Sequence, residues 1–159
     1  MKPVRSSEVE AHLRDFQQLC RQRGFALTHQ RQVIYREMLL MGGHPSPETL
    51  YERVRRQIPS ISLGTVYKNI RTFVDTGLLR EVSLHHGSLR LEANFEPHHH
   101  LVCTKCRRIF DLPEKDLAPV KFRGTAPKGF RIQKISVELL GVCAACQKAK
   151  VSPSPIQES

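Results

Sequence analysis

The sequence contains no tryptophan, and aromatic residues make up only 6% of its 159 positions. With 40% hydrophobic residues a core can still form, and it is expected to be aliphatic. No apolar run approaches the roughly 18 residues that a membrane-spanning helix needs, so no membrane partner is expected. The opening residues MKPVRSSEVEAHLR lack the apolar stretch of a secretory signal, so a cytoplasmic setting is expected. In that setting thiols stay reduced, so the five cysteines read more readily as metal ligands than as disulfides. Repeats and low-complexity blocks are absent as well.

Acidic residues are also scarce. There are 25 Lys and Arg against 15 Asp and Glu, giving a formal charge of +10 and a pI near 9.8. A polyanionic partner such as nucleic acid fits that balance. The excess is spread along the chain: residues 1–90 carry 14 basic side chains against 8 acidic, and residues 91–159 carry 11 against 7. If four cysteines bound one divalent zinc as thiolates, the net charge would fall by two.

What is present begins with helices separated by strong punctuation. Val9, Leu13, Phe16 and Cys20 lie on one helical stripe that Gly24 closes. Thr28 can cap a second helix ending at Gly42-Gly43, and Ser46 a third with Pro47 at its first position. A fourth helix starts near Ser62 and ends at Gly77, with a core stripe of Leu63, Val66, Ile70, Phe73 and Val74. Its other face carries Thr65, Lys68, Asn69 and Thr72. LLREVSL and SLRLEAN then flank HHG as a hairpin, whose turn includes His85 and His86. Helices followed by a hairpin give the pattern of a winged helix-turn-helix, with the fourth helix as reader and the hairpin as wing.

Past Asn94 the texture changes to HHLVC, RRIFDL and FRIQKISVELLG as strands, with one helix near PEKDLAPVKF. The fold class expected is therefore α+β. It would comprise a winged-helix domain over residues 1–91, a hinge over 92–97, a second α/β domain over 98–147 and a disordered Pro/Ser-rich tail over 148–159.

Two C-x-x-C pairs stand in the second half, Cys103 with Cys106 and Cys143 with Cys146. Two such turns can complete a tetrahedral shell of four thiolates, so structural Zn²⁺ is the leading reading. The 36 intervening residues require a whole supersecondary element to bring the pairs together. Coincidence, two local disulfides or a thioredoxin-like redox pair are the alternatives, although the redox reading expects one C-x-x-C at a helix N-terminus. Cys20, on an apolar stripe, reads as a core thiol. On a strand His98 and His100 share a face while His99 points away. With Glu92, Glu96 or Asp111 nearby they could hold a transition metal without thiolate, or the His-rich turn could simply be solvated.

In order along the chain, GFALTHQRQVIY, HPSPETLY, SLGTVYKNIRTFVDTGLL, HHHLVCTKC and GVCAAC resemble the ferric uptake regulator (Fur) superfamily over residues 9–147. The resemblance implies a metal-dependent, homodimeric transcriptional repressor that binds double-stranded promoter DNA and has no catalytic residues. It places structural zinc on Cys103, Cys106, Cys143 and Cys146, and a regulatory Fe²⁺ or Mn²⁺ on His44, Glu92, His98, His100 and Asp111. A further site known in some iron-sensing members is expected to be absent, because Pro97 and Ile135 stand where histidines would be. Asp111 resembles the peroxide-sensing (PerR) branch, whereas Glu92 stands where that branch usually has Asp. The likeness thus implies peroxide sensing through Fe²⁺-dependent oxidation of His44 or His98, with an iron-availability or manganese-responsive repressor as alternative. The fourth helix is expected in the major groove with Thr65, Tyr67, Lys68 and Asn69 as contacts; Arg90 of the wing, with Arg53, Arg55 and Arg56, would meet phosphates. Rival classes are a zinc hydrolase, for which no helical H-E-x-x-H is present, and a thiol-disulfide redox protein.

Overall fold

A computed structural model describes residues 6–83, 89–133, 135 and 137–148. The chain divides into two compact units, one ending at Glu96 and the other beginning at Pro97. The hairpin turn with His85 and His86, and all of the expected tail except Lys148, lie outside the described residues.

The first unit contains α1 (Ser6–Arg23), α2 (His29–Met41), α3 (Pro47–Val54), α4 (Leu63–Asp75) and the antiparallel pair β1 (Arg80–Ser83) and β2 (Leu89–Glu92). Three helices begin where the sequence offers a hydroxyl cap. Thr28, Ser46 and Ser62 each accept a hydrogen bond from the backbone N–H three residues on, satisfying a donor that has no partner inside its helix. After α2 the chain turns through Gly42 and Gly43, both at positive φ (57° and 61°), a conformation that disfavours any side chain. The core takes Val9 and Phe16 from α1, Ile34 and Met38 from α2, Leu50 and Val54 from α3, and Val66, Ile70 and Phe73 from α4. Leu79 and Leu91 seal it from the hairpin side, and Cys20 is buried in it as expected.

The core is less aliphatic than composition suggested. Phe16, Tyr35 and Phe73 form a contiguous aromatic trio with centroids 5.0–5.6 Å apart, two of the three contacts edge-on. Three of the chain's ten Phe and Tyr residues thus meet at one point of the core. Leu63, expected on the core stripe, is exposed because it occupies the first position of α4, before the helix has turned its apolar face inward.

The second unit is a three-stranded sheet of order β4-β3-β5, with β3 at His98–Cys103, β4 at Ile109–Pro113 and β5 at Glu138–Gly141. β4 runs antiparallel to β3 and β5 parallel to it. The helix expected near PEKDLAPVKF is only a 3₁₀ turn, Glu114–Asp116. Pro113 and Pro119 bracket too few residues for an α-helix, and the residue before a proline is pushed toward extended backbone. Of the long strand expected over FRIQKISVELLG, the strand found among the described residues is Glu138–Gly141, and a short α5 (Ala144–Lys148) follows.

Candidate metal centres and nucleic-acid interface

The parallel pairing of β3 with β5 solves the spacing problem of the cysteines. Cys103 is the last residue of β3 and lies opposite Gly141, the last residue of β5. Parallel strands end at the same edge, so the turn after each strand, carrying one C-x-x-C, falls beside the other. Thr104 extends the pairing, its N–H donating to the Gly141 carbonyl at 2.8 Å. The first turn is closed by the Arg107 N–H donating to the Cys103 carbonyl at 2.9 Å, with Arg107 itself at φ +60°.

The four sulfurs lie within 4.8 Å of one another, and Cys106 Sγ and Cys143 Sγ are 3.7 Å apart. Tetrahedral ligands at the usual zinc–sulfur distance are separated by about 3.8 Å, so the cage has the right size. Cys103 Sγ accepts the backbone N–H groups of Cys106 (3.5 Å) and Cys143 (3.4 Å). Those donors favour the thiolate and draw Cys103 down to about 6, whereas Cys146 is pushed up to about 12 by its hydrogen bonds to the Cys106 and Cys143 sulfurs. Four thiols this close cannot all shed their protons unless a cation replaces them. The donor set fits structural zinc.

On the same strand His98 and His100 project from one face, as the two-residue period requires. Their Nε2 atoms are 3.1 Å apart and their rings meet edge-on. Adjacent ligands at a typical metal–nitrogen distance, held at right angles, are also separated by about 3 Å. Asp111 of β4 is paired in register with His100. In the first unit, His44 Nε2 lies 3.2 Å from Glu92 Oε1, both side chains buried. Backbone geometry explains that meeting: the Leu91 N–H donates to the Pro45 carbonyl at 3.0 Å, tying the end of β2 to the loop after α2.

The surface of α4 sorts its expected DNA contacts. Tyr67 is 39% exposed and Lys68 is exposed, while Thr65 is half-buried with its hydroxyl 2.9 Å from that of Ser62. Asn69 departs from expectation. It is buried, its Oδ1 accepting Arg31 Nε–H at 3.1 Å and its Nδ2 donating to the Thr65 carbonyl at 2.7 Å, so its carboxamide braces the unit from inside. Arg53 turns its Nε to the buried Glu37 carboxylate, which Gln57 also donates to at 2.6 Å. Arg55 stacks over Tyr51, Arg56 is exposed, and Arg90 is half-buried on β2.

Residues 22–140 match the sequence model of the ferric uptake regulator family. The chain belongs to this family. The peroxide-responsive repressor PerR of Staphylococcus aureus is 30% identical over 144 residues, which span 91% of this chain and 97% of that protein. The ferric uptake regulator Fur of Helicobacter pylori, described with three functional metal-binding sites, superposes with a TM-score of 0.70. At 18% identity it covers 95% of this chain and all of that one. A zinc uptake regulator complexed with zinc and DNA superposes with a TM-score of 0.61 at 25% identity, over 87% of this chain and 95% of that one. The winged-helix and zinc-bearing α+β architecture read from the sequence is that of the family.

Some residues that shape the surface carry no sequence signal. Glu48, Arg31 and Glu37 look like ordinary solvated charges in the sequence. Only the packing of α2, α3 and α4 on one another shows that each holds a partner on another element.

Proposed function

We propose that this family member is a DNA-binding repressor whose affinity for DNA depends on bound Fe²⁺ or Mn²⁺, and which senses hydrogen peroxide through oxidation of its own histidines. His44 and Glu92 from the first unit, with His98, His100 and Asp111 from the second, would form the regulatory site. The observation that carries this reading is the thiolate-free pair of His98 and His100 beside Asp111, on the strand whose end holds the cysteine cluster. Imidazole and carboxylate suit iron, manganese or zinc, whereas four thiolates suit zinc, so one strand can serve two metals of different chemistry. The kinship with a peroxide-responsive repressor supports the same reading.

Residues 92–97 act as a hinge between the DNA-binding domain, 1–91, and the dimerisation and metal-binding domain, 98–147. Ligands drawn from both sides of a hinge restrict it, and the binding free energy of the metal thereby biases the arrangement that fits DNA. Ferrous iron, when bound, supplies the reducing chemistry that activates peroxide next to the imidazoles. One peroxide adds one oxygen to an imidazole carbon of His44 or His98 and leaves one water. The oxidised ring is a poorer nitrogen donor, the hinge loosens, and DNA is released.

DNA is met by α4 in the major groove through Tyr67, Lys68 and Thr65, with Arg90, Arg53, Arg55 and Arg56 toward phosphates. A homodimer presents two such helices to two half-sites. Supporting it, the second unit leaves Leu101, Phe110, Leu139, Leu140 and Phe130 exposed, an apolar surface that isolated soluble domains rarely carry.

Peptide mass spectrometry after a brief peroxide pulse tests the reading. One added oxygen on His44 or His98 is expected in iron-loaded protein and not in manganese-loaded protein. Unmodified histidines in both forms would move the function to iron- or manganese-availability sensing, the reading that Glu92 favours. Oxidation confined to Cys103, Cys106, Cys143 and Cys146 would make the zinc site the sensor.

A further inference from the structure

Tyr67 stands on the exposed side of α4, yet its hydroxyl already has a protein partner. It donates to Oε1 of Glu48, in the first turn of α3. The Ser46 hydroxyl, the Glu48 backbone N–H and Arg90 are near enough to act on its charge. The Tyr67 hydroxyl, then Ser46, holds the Glu48 carboxyl below its ordinary range, and Glu48 pushes the Tyr67 hydroxyl above its own. The Tyr67–Glu48 hydrogen bond thus links α4 to α3 across the helix-turn-helix.

The arrangement is unexpected on a surface meant for a polyanion. A carboxylate there repels phosphate, and its local gain as an exposed hydrogen bond is small. It also occupies the one proton that the tyrosine could give to a phosphate oxygen. What remains available on Tyr67 is the ring, which can make apolar contact with the C5-methyl group of thymine in the major groove. A ring reads a base only if its direction is fixed, and two χ angles leave it free to swing unless something anchors the far end.

We propose that Glu48 is a positioning residue of the reading face: by accepting the Tyr67 hydroxyl it aims the ring, and not the hydroxyl, at a base. The proposal rests on the DNA-binding reading above and names how one of its contacts acquires specificity.

Full-length protein loaded with zinc and manganese would be used to select from a duplex pool randomised over thirty or so base pairs, with sequencing of the bound fraction. The wild type is expected to enrich a two-fold symmetric motif. Glu48→Ala and Tyr67→Phe should each flatten base preference at the same position of each half-site, by about fivefold or more, the lower end of what one base contact discriminates. The double variant should be no worse than either single one, because both break the same link. Glu48→Gln keeps an acceptor for the phenol and should keep the motif within about twofold, at the wild-type melting temperature and zinc content.

A Glu48→Ala variant that melts earlier but selects an unchanged motif would reduce Glu48 to a structural role and overturn the proposal. So would a Tyr67→Phe variant that binds all sequences more weakly with a shallower salt dependence, because the hydroxyl would then be a phosphate contact. Additive effects in the double variant, or Glu48→Gln behaving as Glu48→Ala, would overturn it as well. A wild type that enriches no motif would instead remove the DNA-binding reading on which the proposal stands.

Discussion

The two units of this protein are stabilised in different ways. The first buries a continuous core drawn from four helices and a hairpin, centred on three aromatic rings. In the second, among the described residues, the fully buried apolar side chains are Val102 and Cys103, while Phe130 is 65% and Leu140 59% exposed. A unit with so little interior cannot offset the conformational entropy of its chain by burial alone. Its stability has to come from the cysteine cage. Packing holds the reading end of the molecule, and ligation holds the other.

The severest way to break that comparison is to remove a sulfur. Cys143→Ser should lower bound zinc from one per chain toward none and abolish the cooperative transition of the second unit, since small metal-stapled domains commonly unfold without their metal. The first unit should keep its helices, seen as a retained melting transition at 222 nm in circular dichroism. A strong chelator applied to the wild type should reproduce the effect. A variant that retained both zinc and the second transition would show that burial, not ligation, holds the sheet together.

The converse experiment strikes the aromatic trio. Phe73 is fully buried and touches both Phe16 and Tyr35. Phe73→Ala should destabilise the first unit by about 3–5 kcal/mol, the range for losing a buried ring and leaving a cavity. Denaturant unfolding followed by helix signal would measure this, and zinc content should stay at the wild-type value. Zinc lost along with the helices would mean that the two units do not fold independently.

The same contrast explains how much could be read in advance. Local signals were legible: Thr28, Ser46 and Ser62 marked helix starts, Gly42 and Gly43 a helix end, and the alternation of His98 and His100 a shared strand face. These features are fixed by backbone chemistry within a few residues of the signal. The cysteine spacing announced zinc, but the parallel register of β3 with β5 that unites the two turns spans a long crossover and left no local trace. Cross-helix contacts were equally hidden. Asn69 reads as a surface residue by helical periodicity, and only Arg31 on α2 makes it a bracing one. The helix expected near Glu114 failed because two prolines bounded it more tightly than its composition suggested. His44 became a candidate ligand through family resemblance, a lone histidine in a loop having no spacing partner.

The smallest effect concerns two caps of the same S-x-x-T form within the packed unit. Ser46 Oγ accepts the Thr49 N–H at 3.2 Å, and Ser62 Oγ accepts the Thr65 N–H at 3.1 Å. They differ in burial: Ser46 is 9% exposed, whereas Ser62 lies open to solvent. Loss of a hydroxyl cap typically costs about 1 kcal/mol, within a range of roughly 0.5–2. Water can replace the missing acceptor at α4, so Ser62→Ala should fall near the low end of that range. At α3 it cannot do so as readily, so the cost of Ser46→Ala should lie near the high end. Chemical unfolding of the two variants side by side measures the difference, with zinc content again unchanged. Equal costs would mean that solvent reaches the start of α3 as freely as that of α4.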